Sequence, residues 1–119
     1  MSTEAKISDA QKTTAAIVTL ASDIGSIYSI INASDYNSEI FIQAKISKEE
    51  ATKIAYKAEE GIFDLTEIKK MVDHLSQLAN SVYKKRAHNP LISDQLISTI
   101  KKAMIDTENV VALTVQIKS

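Results

Sequence analysis

Cysteine is absent from this sequence of 119 residues, which excludes disulfides, thiolate chemistry and cysteine-ligated zinc or iron–sulfur sites. Proline occurs once and glycine twice, and this scarcity of turn-forming residues favours long helices over a sheet with many turns. Tyrosine and phenylalanine make up 5% of the chain and are scattered, which argues against a stacking platform for single-stranded nucleic acid. The formal net charge of −1 provides no overall attraction to nucleic acid or to an anionic membrane.

The residues that are present are typical of an ordinary globular protein. Apolar residues account for 45% of the chain and charged residues for 24%, and the length suits a single domain over residues 1–119. The amino terminus is polar and mixed in charge, and the first apolar stretch begins too late for a secretory signal. We therefore expect a cytoplasmic protein, and membership of an assembled or exported particle is left open.

A nearly uncharged segment lies in the first third of the chain. Residues 13–34 carry one charged side chain, Asp23. Apolar residues recur there at alternating steps of three and four, which predicts one seam of a helix over residues 9–33. The members of this seam are Ile17, Leu20, Ile24, Ile27 and Ile31. A row of small residues beside the seam would allow a second helix to approach closely: Ala21, Gly25, Ser29 and Ala33.

A second, longer helix is predicted in the middle of the chain. Residues 35–46 fit either a helix or a strand, because their apolar residues satisfy both periods. Ser47 and Glu50 match a capping box, which predicts the start of a helix at residue 47. The apolar pattern then continues at threes and fours to residue 86. Such a helix would extend for about 60 Å, with Gly61 as a contact point or slight bend within it.

A third helix is predicted over residues 90–113. Asn89 and Pro90 suit a helix cap followed by the first helical position, and Leu96 and Ile100 belong to the apolar face. Apolar residues alternate over 110–117, so a strand competes with the helix that we favour there. The expected fold is all-α: an elongated antiparallel bundle of three main helices, at residues 9–33, 47–86 and 90–113.

One basic cluster is a candidate contact patch: Lys84, Lys85 and Arg86. Such a cluster could bind phosphate, a lipid headgroup or an acidic partner. Cations also gather at the carboxyl end of a helix because they offset its dipole, and we favour that explanation because no aromatic residues are interleaved. We expect no binding of nucleic acid.

Metal and catalytic sites find little support in the sequence. The two histidines, His74 and His88, belong to neither a Glu-x-x-His nor a His-x-x-x-His pair. The chain lacks a glycine-rich phosphate loop and a nucleophile elbow. Acidic pairs such as Glu49 and Glu50 are typical of solvated charges that have cationic partners one turn away. We expect a protein that is not an enzyme and that uses no metal, cofactor or small-molecule substrate.

Asp23 is the charged residue whose position calls for an explanation. A carboxylate in the middle of an apolar helix must face water, pair with a cation or line a shared interface, because burial of an unpaired charge costs several kcal/mol. On a helical wheel it lies beside Thr19 and Ser26, which fits a polar strip facing solvent equally well. The sequence therefore leaves open whether Asp23 is a carboxylate that faces solvent or one that is paired or shared at an interface.

The predicted helices indicate a protein that assembles. Two shorter helices cannot cover a helix of about 60 Å, so contiguous apolar surface would remain exposed on a monomer. We expect a non-catalytic helical interaction protein that associates with itself or with other helical proteins. The predicted contact residues are Ile17, Ala21, Ile24, Gly25, Tyr28 and Ser29. The alternative is a membrane-active protein of the helical pore-forming type, in which residues 13–34 insert into the bilayer.

Overall fold

The computed structural model describes the backbone of residues 2–33, 38–88 and 92–118, and the side chains of 9–33, 39–87 and 92–117. Four helices account for almost all of this part of the chain: α1 (Ser2–Asn32), α2 (Ser38–Glu59), α3 (Leu65–His88) and α4 (Asp94–Lys118). No strand occurs among these residues. The all-α prediction is confirmed, whereas the prediction of three main helices is wrong.

The four helices lie side by side along the long axis of the molecule. The fold measures 54 × 20 × 20 Å, and a helix as long as α1 extends for about 46 Å, so it fits only along the longest dimension. Successive helices are joined by five residues each, which span at most about 18 Å. Each helix must therefore run opposite to the one before it. In the described part, α1 and α3 both contact α2 and α4 but not each other, so they occupy opposite corners of the bundle.

The core is built from a heptad pattern that repeats in each helix. Buried positions alternate at steps of three and four, which is the period of side chains packed in left-handed helical bundles. In α1 these positions are Thr13, Ile17, Leu20, Ile24, Ile27 and Ile31; in α2 they are Ile40, Ala44, Ser47, Ala51, Ile54 and Ala58. In α4 they are Leu96, Ile100, Ala103, Thr107, Val110 and Thr114. The apolar seam predicted for the first helix is thus its core-facing side.

The predicted helix over residues 47–86 is interrupted at Gly61. Gly61 has a positive φ of 81°, which glycine adopts without the steric cost that a Cβ brings. Its N–H donates to the carbonyl of Ala58 (3.0 Å), and the N–H of Ile62 donates to the carbonyl of Lys57 (2.8 Å), which together form a Schellman cap. The Asp64 carboxylate then accepts a hydrogen bond from the Glu67 N–H (3.2 Å) and caps α3. The interpretation of Gly61 as a slight bend was wrong.

The other boundary predictions are also corrected. Ser47 does not begin a helix, because it lies fully buried in the middle of α2. The segments left open between helix and strand are helical where the structure describes them, residues 39–46 in α2 and 110–117 in α4. Asn89 and Pro90 lie outside the described residues. The Ser93 hydroxyl accepts from the Leu96 N–H (3.1 Å), so α4 begins at Asp94 rather than at residue 90.

These corrections remove one argument for assembly. The longest helix is α1, with 31 residues, and no helix of about 60 Å exists among the described residues. The four helices are similar enough in length to cover each other's apolar seams. An interface with another molecule must therefore use the outer surface of the bundle.

Candidate interaction surface

The six predicted contact residues fall on two different sides of α1. Ile17 and Ile24 are 3% and 0% exposed and face the core of the same chain. Ala21, Gly25 and Tyr28 are half-buried at the boundary of the helix. Ser29 is exposed. Contact with another molecule through α1 would therefore involve the small residues and the tyrosine ring rather than the isoleucines.

The outer face of α1 is uncharged between residues 13 and 33. Its exposed side chains between residues 13 and 33 are Ala15, Val18, Thr19, Ser22, Ser26, Ser29, Asn32 and Ala33. The single charged residue in this range is Asp23, which is buried. Each of the other three helices exposes lysines, for example Lys45, Lys69 and Lys101. Val18 adds an apolar side chain to the face, with 43% of its surface exposed.

An open groove of about 860 Å³ follows part of this face. Small residues of α1 form its floor: Ser22, Gly25, Ser26 and Ser29. Lys48 of α2 lines one side, and Thr99 and Lys102 of α4 line the other. A Cβ atom added to Gly25 would meet no neighbouring heavy atom within 4 Å. Gly25 therefore leaves space above α1 that the chain itself does not fill.

Asp23 lies at the edge of this groove and pairs with a cation of its own chain. Its carboxylate oxygens accept hydrogen bonds from the Lys102 ammonium at 3.0 and 3.2 Å, and Lys102 also donates to Asp106 at 2.9 Å. Asp23 is 9% exposed. The pKa of Asp23 is raised to about 6, first by burial and then by a hydrogen bond with Asp106, against the opposing effect of Lys102. Of the two interpretations open from the sequence, the paired carboxylate at a helix interface is the one observed.

The Asp106 carboxyl has the opposite shift. Its hydrogen bond with Asp23 holds the pKa of Asp106 below the usual range, and Lys102 lowers it further, against the effect of burial. The two carboxyls that pair with Lys102 therefore have pKa values shifted in opposite directions. At mildly acidic pH, Asp23 binds the proton and Asp106 keeps the negative charge.

Polar contacts join α2 to α3 at two carboxylates, Glu50 and Glu67. The His74 Nδ1 atom lies 2.6 Å from a carboxylate oxygen of Glu50, and the pair is ionic when the imidazole is protonated. The Lys57 ammonium donates to Glu67 at 2.8 Å, and this hydrogen bond raises the pKa of Lys57. Among the described residues, no group of three or more histidine, aspartate or glutamate side chains is placed to hold a metal ion. The side chain of His88 lies outside them.

The three side chains of the basic cluster do not point toward one site. Lys84, Lys85 and Arg86 occupy the last turns of α3, where successive side chains point about 100° apart. Lys84 is exposed, whereas Lys85 and Arg86 are half-buried. Arg86 donates to the carboxylate of Asp94 at 2.5 Å and so connects α3 to the start of α4. One of the three cations thus has a structural partner.

A second groove, between α1 and α2, was not identified from the sequence. Its lining is rich in lysine and tyrosine: Tyr28, Lys45, Lys48, Glu49, Thr52, Lys53, Tyr56, Lys57 and Glu60. The exposed face of α2 reads in sequence as alternating charge, which is typical of a solvated helix. Tyr28 is the one α1 residue in this lining, and its ring reaches the groove because α1 packs beside α2.

Comparison with protein families, with characterised proteins and with solved structures gives no match, so no function passes to this chain from a relative.

Proposed function

We propose that this chain is a non-catalytic, cytoplasmic helical protein that assembles with further copies of itself into a homo-oligomer or larger particle. The proposed contact is the outer face of α1, with Gly25 and Ser29 at its centre. The observation that carries the proposal is the uncharged surface of this helix between residues 13 and 33. Charged residues are depleted from the cores of protein interfaces, because their desolvation is costly.

The residue types on this face suit helix-to-helix packing. Small side chains let two helix axes approach to about 8 Å, at the short end of the usual range. The hydroxyls of Ser22, Ser26 and Ser29 can form hydrogen bonds across such a contact, while Val18 contributes apolar area. Two copies related by a two-fold axis would present the same face to each other.

The size of the face limits how such a dimer could form. Residues 15–33 extend for about 27 Å, and a single helix face is about 10 Å wide. A stable interface buries about 800 Å² on each partner, which is more than this strip offers. The flanking residues Lys48 and Thr99, which line the same groove, must therefore also be covered.

The mass of the purified chain tests this proposal. Sedimentation velocity over a series of concentrations is expected to give a species larger than the monomer. Gly25→Leu places a side chain in the open space above α1, where the added Cβ meets no heavy atom within 4 Å, so it should shift the population toward the monomer. Ala112→Leu, at an exposed position on α4, is the matched control and should leave the mass unchanged. A wild-type monomer at every concentration, or equal effects of the two variants, would contradict the proposal.

A second candidate function, a membrane-active protein, is favoured by the hydropathy of α1. Residues Asp9–Asn32 have a mean hydropathy of 1.5 and are long and apolar enough to cross a bilayer, a property shared by core helices of soluble proteins. Release of a dye from anionic and neutral vesicles at pH 7.5 and pH 5 distinguishes the two candidates. Release that depends on residues 13–34 favours membrane activity, and the absence of release under all conditions eliminates it.

A further inference from the structure

The groove between α1 and α2 has a shape that suits an elongated ligand. It occupies about 570 Å³ and follows α2 from Lys45 to Glu60. Sixteen helical residues extend for about 24 Å, so the groove is between four and five turns long. Its length matches that of a short helix laid along the surface.

Aromatic rings contribute to the groove at two places. The Tyr28 ring packs against Phe41 with 5.6 Å between ring centroids, which fixes its position. The Lys48 ammonium lies 4.6 Å from the centroid of the same ring. Farther along α2, Tyr56 is 67% exposed. One ring is held in place by its neighbours, and the other is free to contact a ligand.

The charges in the groove are unevenly paired. Lys57 is 2.8 Å and Lys53 is 3.9 Å from the same carboxylate oxygen of Glu67, so both have an anionic partner. Lys45 and Lys48 make no ion pair within the described residues. The groove therefore has an excess of positive charge at the end nearer Tyr28.

We propose that this groove binds an acidic amphipathic helix of a partner protein, whose carboxylates meet Lys45 and Lys48 and whose apolar side chains pack against Tyr56. The lysine side chains support both contacts, because their methylene groups offer apolar surface below the charged ends. Helix binding in a groove draws its affinity from a few apolar anchors and its orientation from charges at the rim. This inference goes beyond self-assembly, and because Lys48 lines both grooves the peptide is tested at a concentration where the chain is monomeric.

The lining favours a protein helix over nucleic acid or a lipid surface. Glu49 and Glu60 lie in the same groove and would repel a continuous row of phosphates. A peptide can instead place its own cations opposite these glutamates and its carboxylates opposite the lysines.

A labelled synthetic peptide tests the inference directly. The probe is a helix of about sixteen residues with leucines and one phenylalanine along one side, and with glutamates opposite Lys45 and Lys48 and lysines opposite Glu49 and Glu60 along the other. Fluorescence anisotropy should show saturable binding that weakens as salt is added. Lys45→Glu combined with Lys48→Glu should weaken it by about tenfold or more. Lys69→Glu combined with Lys101→Glu makes the same charge change at exposed positions outside the groove, and should retain wild-type affinity.

A second pair of variants tests the proposed contact between the peptide and the Tyr56 ring. Tyr56→Ala should weaken peptide binding by about tenfold, because the ring is proposed as an apolar anchor. Tyr83→Ala removes another exposed tyrosine, 37% exposed on α3, and should leave the affinity unchanged. Val18→Glu changes the face proposed for self-association at a residue that lines neither groove, and it should bind the peptide normally, so failure of self-association and failure of this inference are distinguishable.

Several results would overturn the inference. These are the absence of saturable binding up to about 1 mM peptide, equal weakening in the control variants, and equal affinity for a peptide in which lysines replace the glutamates. The inference is also overturned if a single-stranded oligonucleotide or anionic phosphatidylserine vesicles bind more tightly than the peptide. If that binding is lost when Lys45→Glu and Lys48→Glu are combined, the groove belongs to another class of partner.

Discussion

Replacement of Asp23 by asparagine provides the most quantitative test of the bundle. In the folded chain burial raises the pKa of Asp23 from 3.8 to about 6. A difference of about 2.2 pKa units corresponds to about 3 kcal/mol between the two protonation states. Because the folded pKa lies above the unfolded value, the stabilisation is fully present below pH 3.8 and is lost as the pH rises through 6. About 2 kcal/mol of this change falls between pH 4.5 and pH 7.5.

The neighbouring carboxyl titrates in a different window. The pKa of Asp106 is lowered from 3.8, so its stabilisation is present above that pH and is lost only below it. Measurements between pH 4.5 and pH 7.5 therefore report mainly on Asp23. The Asp23→Asn variant keeps the size of the side chain and an acceptor oxygen for Lys102, but it has no proton to gain or lose in this range.

Urea unfolding followed by circular dichroism checks this prediction. The free energy of unfolding of the wild type minus that of Asp23→Asn should fall by about 2 kcal/mol as the pH is raised from 4.5 to 7.5. Asp73→Asn removes an exposed carboxylate from α3, and its free energy of unfolding should change with pH in the same way as that of the wild type. Parallel pH profiles for the wild type and Asp23→Asn would refute the reasoning, because they would mean that Asp23 has the same proton affinity in both states.

The remaining predictions concern stability and are measured by urea unfolding at a concentration where the chain is monomeric. Gly25→Ala should stabilise the fold by about 0.5–1 kcal/mol, because the added Cβ meets open space and alanine favours a helix interior; a loss of stability would reveal a contact there. Gly61→Ala should destabilise it by about 1–2 kcal/mol because of the positive φ, and an unchanged midpoint would show that the turn relaxes. Ser47→Ala should be neutral or stabilising by about 1 kcal/mol, since the buried hydroxyl has no hydrogen-bond partner among the described residues; a cost above about 1 kcal/mol would indicate a partner outside them.

The heptad pattern was the part of the fold that the sequence predicted well. The alternation of three and four along α1 places Ile17 to Ile31 on one side of the helix, and that side forms the core. The pattern fails at Gly61 because apolar residues continue at helical spacing on both sides of it. The interruption had a usable signal, a glycine followed three residues later by Asp64, which forms a capping sequence with Glu67.

The same capping rule misled at Ser47. Ser47 and Glu50 match the capping sequence as well as Asp64 and Glu67 do. The difference lies in the surrounding heptads: Ala44 and Ala51 continue the buried face of α2 on both sides of Ser47. A core position that is covered by neighbouring helices overrides a local capping preference, because the helix gains more from packing than from one hydrogen bond at its end.

The candidate surface could be predicted only in part. Periodicity shows that a helix face is apolar, but it does not show which neighbour covers it, so Ile17 and Ile24 were assigned to an interface although their own chain buries them. Asp23 was recognised as unusual, but its partner Lys102 lies 79 positions away in the sequence. The groove next to Tyr56 follows one face of α2 at helical spacing that the sequence does show, but the Tyr28 ring that completes it comes from another helix.

Lys102 links the buried carboxylate to the outer surface of the bundle. It pairs with Asp23 and Asp106, and it also lines the groove above α1. A second molecule covering that groove would remove water from the lysine and from the edge of Asp23. Loss of water makes an ionised carboxylate less favourable, so the pKa of Asp23 would rise further in the assembled state. Self-association through this face would then take up a proton and become stronger as the pH falls toward 6, whereas assembly through any other face would leave this titration unchanged.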